Sequence, residues 1–392
     1  MVLHTGLRSF GTCFRRGIVR SGVDFLEVGT LNMKIPALLA AVVALATTSR
    51  AQNYDFTIVG AQSNFTWTGT SSLGPIVGNP SNAFHLEGST LNTVASSQGT
   101  ATQFGFVSGA ALVTPDIRGR IPNPLPFLPP LATLDVVGLT LSPASLPVAV
   151  AANGTFSANV ILTATSGTLT VSPLGGVPST SSLVGATSTP TTVNGTLVRS
   201  GSTWSLSAPI NSSFAFSDPA SGSTGSFTVV GTLRADYALV RAYCLGDGSS
   251  VACPCGNNSS TAAAAGCLNS AGTPGRLVGS GLPSVTNDTL TLRVSGLPAT
   301  TTALLFQGTG ASAAVFGDGL RCASGTIVRL GTQPTVGGIA QWPVAGSPMA
   351  IAGAVPLAGG MRTYQAWYRN SAAYCTASVF NLTNGVQIDW LP

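Results

Sequence analysis

From Phe227 to Leu239 every second residue is apolar or small. Phe227, Val229, Gly231, Leu233, Ala235, Tyr237 and Leu239 alternate with Thr228, Thr232, Arg234 and Asp236 among others. A period of two puts one set on each side of an extended chain, so this stretch can bury a single face only as a β-strand. The same alternation runs through Phe156, Ala158, Val160, Leu162 and Ala164, through Leu290, Leu292 and Val294, and through Tyr364, Ala366 and Tyr368. Glycine and proline punctuate these runs, and no apolar stripe of period 3.6 competes with them. The chain is therefore read as all-β and antiparallel, in two modules. Residues 52–241 would form a sandwich or an up-and-down barrel, and residues 242–392 a β-sandwich stapled by disulfides.

Three local expectations follow from matching apolar faces across turns. A two-residue turn at Ser166-Gly167 would pair Ala164 with Leu169 and Leu162 with Val171 in a hairpin. A three-residue loop Thr383-Asn384-Gly385, with Gly385 left-handed, would pair Leu382 with Val386 and Phe380 with Ile388. Prolines 122, 124, 126, 129 and 130 cannot donate to a ladder, so residues 122–130 are expected as an extended surface connection.

The boundary between the modules is marked by cysteines. Residues 243–267 hold Cys244, Cys253, Cys255 and Cys267, and only Cys322 and Cys375 follow. The seventh cysteine, Cys13, lies before a secretory signal pattern at residues 33–51: Lys34, an apolar core from Ile35 to Ala46, then small residues up to Ala51. The expectation is that Met33 is the true start, that residues 1–32 are a mis-called extension, and that cleavage after Ala51 leaves Gln52 as the N-terminus. The apolar core is too short to span a hydrocarbon layer. Without Cys13 the exported chain has an even six cysteines, which points to disulfides in an oxidising compartment. By spacing, the first four would pair among themselves, Cys253 and Cys255 with Cys244 and Cys267, and Cys322 with Cys375. A zinc site fits poorly, because Cys253-Pro-Cys255 lacks the usual gap and no histidine is near.

Charge excludes further classes. Only 7% of residues are charged, and beyond residue 51 the chain has 11 arginines, 10 acids and no lysine. Scattered arginines without a basic patch do not describe a nucleic-acid binder. The exported chain has a single histidine, His85, which shares a strand face with Glu87 in a possible acid–base pair. No Gly-x-Ser-x-Gly motif accompanies it, and an exposed polar face accounts for the pair more simply. Asp247 and Asp318 each sit in Gly-Asp-Gly, one carboxylate apiece where a hard cation wants six to eight oxygens, so tight turns are expected. No catalytic residue, metal ligand or cofactor is assigned. Trp342, Tyr364, Trp367, Tyr368 and Trp390 all fall in the second module and could stack on sugar rings, although large aromatics also fill sandwich cores.

Two resemblances add to this. Tyr54-Asp-Phe-Thr-Ile58 and Gln62-Ser-Asn-Phe-Thr-Trp67 loosely resemble the opening of secreted lipocalin-like β-barrel proteins, which implies an apolar ligand cavity. Tyr243-Cys-Leu-Gly-Asp-Gly, Cys253-Pro-Cys-Gly-Asn, Gly266-Cys-Leu-Asn-Ser, Phe316-Gly-Asp-Gly-Leu-Arg-Cys322, Tyr364-Gln-Ala-Trp-Tyr-Arg-Asn and the ending Asp389-Trp-Leu-Pro resemble the Cys-rich C-terminal module of secreted proteins of Planctomycetes. That second resemblance covers residues 242–392. It implies secretion and a shared scaffold, and it carries over no activity, ligand or catalytic residue. The function expected is that of a secreted or cell-surface structural or interaction protein without enzymatic activity. The alternatives are a carbohydrate-binding protein using the second-module aromatics, or a carrier of a small apolar ligand in the first module. The partners to expect are surface polysaccharide or other envelope proteins, with no nucleic acid and no membrane span in the exported chain.

Overall fold

The computed structural model describes residues 50–218, 223–344, 347–370 and 374–392. The expected extension and signal segment fall, except for the last two residues, outside the described part. The chain is all-β. Its first thirteen strands share one antiparallel sheet: β1 (Ala51–Ile58), β2 (Asn64–Ser71), β3 (Gly74–Gly78), β4 (Ala83–Ser97), β5 (Thr100–Thr114), β6 (Ile117–Ile121), β7 (Ala132–Ala144), β8 (Val148–Ala149), β9 (Thr155–Pro173), β10 (Ser179–Ser182), β11 (Thr191–Ser200), β12 (Thr203–Asp218) and β13 (Ser223–Ala238). Hydrogen-bonded neighbours run β1–β4–β5–β7–β9–β11–β12–β13, and β13 pairs back with β1. The sheet closes on itself in up-and-down order, so the first module is a barrel, and closure leaves its staves no free edge.

The alternating apolar residues point inward along every long stave. Phe56, Phe104, Phe106, Phe156, Trp204, Leu206 and Leu233 are buried, each stabilising the barrel by roughly 1.5–3 kcal/mol relative to exposure. The first stave is broken in the middle. β1 stops at Ile58, a single 3-10 turn (Gly60–Gln62) intervenes, and β2 resumes between the same neighbours, β13 and β4. At the break the buried Ser63 hydroxyl donates to the Arg234 carbonyl and accepts from the Arg234 N–H, both at 3.0 Å. It stands in for the missing ladder bonds.

The expected hairpin at Ser166-Gly167 does not form. β9 runs unbroken through it, with β7 alongside, and the register slips where Thr140 faces Ser166 and Leu141 faces Ala164. Gly138 and Gly167 take positive φ at the slip, and Ser166 Oγ donates to the Gly138 carbonyl at 2.7 Å. A bulge shifts the alternation by one residue, which puts Ala164 and Leu169 on the same face within one strand. Residues 122–130 form the expected surface connection between β6 and β7.

The second module adds β14 (Val240–Tyr243), β15 (Arg276–Ser280), β16 (Thr291–Ser295), β17 (Thr302–Phe316), β18 (Gly319–Pro334), β19 (Ala340–Trp342), β20 (Gly360–Arg369), β21 (Phe380–Leu382) and β22 (Gly385–Trp390). One sheet has the order β14–β22–β20–β17–β18 with β21 on β20, and the other is β15–β16–β19. Leu277, Leu292, Val294 and Trp342 from the small sheet pack with Leu305, Tyr364, Tyr368, Ile388 and Trp390 from the large one. This is a two-layer sandwich. The C-terminal hairpin is also absent: β21 and β22 both pair with β20, Trp367 opposite Leu382 and Tyr364 opposite Val386. Asn384 explains the interruption. Its buried side chain accepts from Leu277 N at 2.8 Å and donates to Leu277 O at 3.1 Å, tying the gap to the other sheet. Gly385 does not adopt the left-handed conformation expected for it.

All six expected cysteines are bridged; Cys253 bonds to Cys267, one of the two partners expected for it, while Cys244, Cys255, Cys322 and Cys375 pair differently from the expectation. The bonds are Cys244–Cys322, Cys253–Cys267 and Cys255–Cys375, spanning 78, 14 and 120 residues. Cys322, on the β17–β18 hairpin with its three register shifts, bonds to Cys244 and not to Cys375. It lies beside β14, where the Tyr243 hydroxyl donates to its carbonyl at 2.7 Å. Bridges closing the two longer loops each constrain the unfolded chain by roughly 4–5 kcal/mol in the chain-entropy picture.

Candidate functional site: an aromatic and arginine groove on the second module

β20 turns Tyr364, Ala366 and Tyr368 into the sandwich and leaves Gln365, Trp367 and Arg369 on the outer face. On β17, Ala303 and Leu305 point inward and Leu304 and Phe306 outward. Register sets Leu304 opposite Trp367, Phe306 opposite Arg329, and Arg369 opposite Phe380. The result is an open groove of about 440 Å³ lined by Leu304, Phe306, Phe316, Arg321, Ile327, Arg329, Trp367 and Leu382. Phe306 and Leu382 form its buried floor, while Phe316 and Ile327 are exposed. The Phe380 ring lies 5.6 Å from Trp367 and 5.0 Å from Phe316, and the Arg369 guanidinium lies 5.9 Å from the Trp367 ring.

The groove is cationic. Among the described residues, the ion pairs are His85–Glu87, Arg118–Asp135 and Arg241–Asp389, so Arg321, Arg329 and Arg369 have no carboxylate partner. Asp318, in the turn between β17 and β18, is fully buried and already saturated. Its carboxylate accepts from Asn370 Nδ2 at 3.0 Å and from the Thr376 N–H and hydroxyl at 2.8 Å each. That is the structural role expected for a tight-turn aspartate. Asp247 likewise accepts from the Ser249 hydroxyl at 2.5 Å and the Ser249 N–H at 2.9 Å, and these bonds hold its carboxyl below the usual range.

Of the five aromatics expected to stack on a ligand, only Trp367 reaches the surface. Trp342, Tyr364, Tyr368 and Trp390 are at most 1% exposed and belong to the sandwich core. There Trp390 Nε1 donates to the Tyr364 hydroxyl at 2.9 Å, which in turn donates to Gln307 Oε1 at 2.7 Å. Burial holds both Tyr364 and Tyr368 phenols well above the usual tyrosine range. Phe306, Phe316, Phe380 and the three arginines were missed by pattern reading. A signal existed for Phe306: the unbroken apolar run from Ala303 to Phe306 buries one face of its strand and leaves large side chains over on the other.

Elsewhere, His85 Nε2 and Glu87 Oε1 lie 3.0 Å apart on the barrel exterior. The barrel encloses an apolar void of about 100 Å³ between Trp67, Phe84, Val113, Leu169, Phe216 and Val229, well below the several hundred Å³ usual for small-molecule sites. Among the described residues no cluster of histidine, cysteine or acids could hold a metal, and no helix is long and apolar enough to cross a membrane. No family model, curated protein or solved structure matches the chain.

Proposed function

We propose that this chain is an exported binding protein without enzymatic activity, whose second module takes a polysaccharide chain across the outer face of β17, β18 and β20. The observation that carries this reading is the groove itself. Trp367 offers a ring at the surface, flanked by Phe316 and Phe380, with Arg321, Arg329 and Arg369 unpaired around it. Aromatic faces stack on the apolar side of sugar rings, and guanidinium groups fork onto carboxylate or sulfate substituents. An acidic polysaccharide therefore suits the groove better than a neutral one. Three disulfides support export to an oxidising compartment.

The test is titration calorimetry against a polyuronate and an uncharged glucan. Tighter binding of the polyuronate is expected, and Trp367→Ala should weaken it about fivefold, roughly the 1 kcal/mol of one aromatic contact. Trp367 is half-buried on the outer face, so the variant should keep its thermal midpoint within a few degrees. Polyuronate binding that is unchanged in both Trp367→Ala and Arg329→Gln would sink the proposal.

A further inference from the structure

Three connections meet at one end of the barrel: the turn Gln98-Gly99 between β4 and β5, the turn Gly201-Ser202 between β11 and β12, and residues 150–154 between β8 and β9. Val150 N–H donates to the Thr102 carbonyl at 3.0 Å and Leu197 N–H to the Gly154 carbonyl at 2.8 Å. Between them lies a pocket of about 250 Å³. Ala101, Ala152, Leu197, Val198 and Trp204 supply its apolar wall, and Arg199 and Asn153 line it as well.

The charged and amide groups of this pocket are donors without acceptors. Arg199 Nε donates to the Gly99 carbonyl at 2.7 Å and Nη1 to the Gly201 carbonyl at 2.6 Å, which pins the guanidinium between two turns and leaves Nη2 free. Among the described residues no carboxylate pairs with Arg199, and the stretches 98–102, 150–154 and 197–204 contain no acid. Burial holds the guanidinium below the usual arginine range, with no opposing charge to restore it. Asn153 Oδ1 accepts from the Thr155 N–H at 3.1 Å and from the Thr155 hydroxyl at 2.8 Å, so the amide is oriented and its Nδ2 is left unpaired. Trp204 stands opposite Arg199 in the β11–β12 ladder, and its buried Nε1–H has no acceptor. A partly desolvated cation among unpaired donors is a standing cost that an anion in the pocket would offset.

We infer that this pocket binds a small organic carboxylate, its oxygens taken by Arg199 and Asn153 and its apolar body resting on the wall that includes Val198 and Trp204. A guanidinium already fixed at Nε and Nη1 loses little further freedom when it meets a carboxylate. The pocket is smaller than the roughly 300–1,000 Å³ of drug-sized sites, which limits the ligand to a single ring or a short chain. Inorganic phosphate would satisfy the donors and leave the apolar wall in water, so an organic acid fits better. The site belongs to the first module and stands independently of the groove on the second.

The test is nuclear magnetic resonance of the disulfide-bonded protein with nitrogen-labelled tryptophan, whose five residues give one indole N–H signal each. The Trp204 signal is the one missing from Trp204→Phe. The probes are benzoate, its uncharged isostere benzamide, and inorganic phosphate. Benzoate should shift the Trp204 signal saturably, and benzamide should bind at least about tenfold more weakly. Asn153→Asp keeps the acceptor that Thr155 uses and sets a like charge at the pocket, so it should weaken benzoate about tenfold. Arg199→Lys loses the planar fork and should weaken it about fivefold. The remaining indole signals, unmoved, check that each variant is folded. No saturable shift at Trp204, benzamide or phosphate binding as tightly as benzoate, or undiminished benzoate binding in Asn153→Asp would each overturn the inference. A benzoate shift at Trp367 in place of Trp204 would overturn it too, and would leave the second-module groove standing.

Discussion

At the scale of single residues, side chains of the same chemistry have opposite fates here. Trp367 and Tyr368 are neighbours on β20, yet one lies in a surface groove and the other is completely buried. Strand alternation makes that split inevitable, and which face meets the second sheet decides which residue is which. Gly385 shows how a residue can be read correctly as special for the wrong reason. A Cβ there would lie 2.5 Å from Tyr243 Cε1 and 2.8 Å from Cys322 Cβ, so close approach demands glycine, not a turn. Gly385→Ala should destabilise the protein by about 1–3 kcal/mol through overpacking, seen as a lower urea midpoint. Adding Tyr243→Ala to that variant should recover part of the loss, because it empties the space that the methyl needs.

At the scale of elements, both missed hairpins share one cause. A shift in the phase of an alternating pattern is produced equally by a tight turn and by a bulge or gap within one line of strand. At Ser166-Gly167 and at Thr383-Asn384 the neighbouring strands, β7 and β20, are long enough to pair on both sides of the slip, so the chain runs on. The first stave needs a comparable repair. Ser63 bonds to both the N–H and the carbonyl of Arg234, and because the Val59 N–H also donates to that carbonyl at 2.8 Å, Ser63→Ala strands the Arg234 N–H at a buried break. The expected cost is about 1–3 kcal/mol. Amide hydrogen exchange checks its location: the Arg234 amide should lose protection while amides of β20 keep theirs.

At the scale of the whole molecule, both modules fall in one compact unit. Their junction is a polar knot: Asp389 on β22 accepts from the Tyr237 hydroxyl of the barrel and pairs with Arg241 Nη2 at 2.6 Å, while Arg241 covers the Tyr237 ring at 4.7 Å. Tyrosine burial gives the molecule an alkaline limit. Burial holds the phenols of Tyr54, Tyr237, Tyr364 and Tyr368 above the usual range and pushes Tyr243 up to about 12. The unfolded chain releases these protons near the ordinary value of 10.0, earlier than the folded one does. Their contribution is therefore whole below about pH 10 and is lost as pH climbs toward and beyond 12. Thermal midpoints should fall steeply over that window, with phenolate absorbance rising in step with unfolding. A midpoint flat from neutral pH to 12 would contradict the burial of these phenols.

Much of the protein was set by local chemistry and so could be read along the chain. Alternation specifies strands because a strand is the one backbone that separates neighbouring residues, and an even set of cysteines specifies bridges wherever the compartment oxidises free thiols. The surface connection at 122–130 and the tight turns at Asp247 and Asp318 belong to the same class, since proline and glycine act on their own backbones. Closure of the barrel, the partner of each cysteine, the continuity of β9, and the face on which Trp367 meets Phe316 and three arginines were decided only in three dimensions. Each depends on which distant strand lies alongside, and a strand pattern that repeats every two residues fits many neighbours equally well until the packing of the two cores selects one.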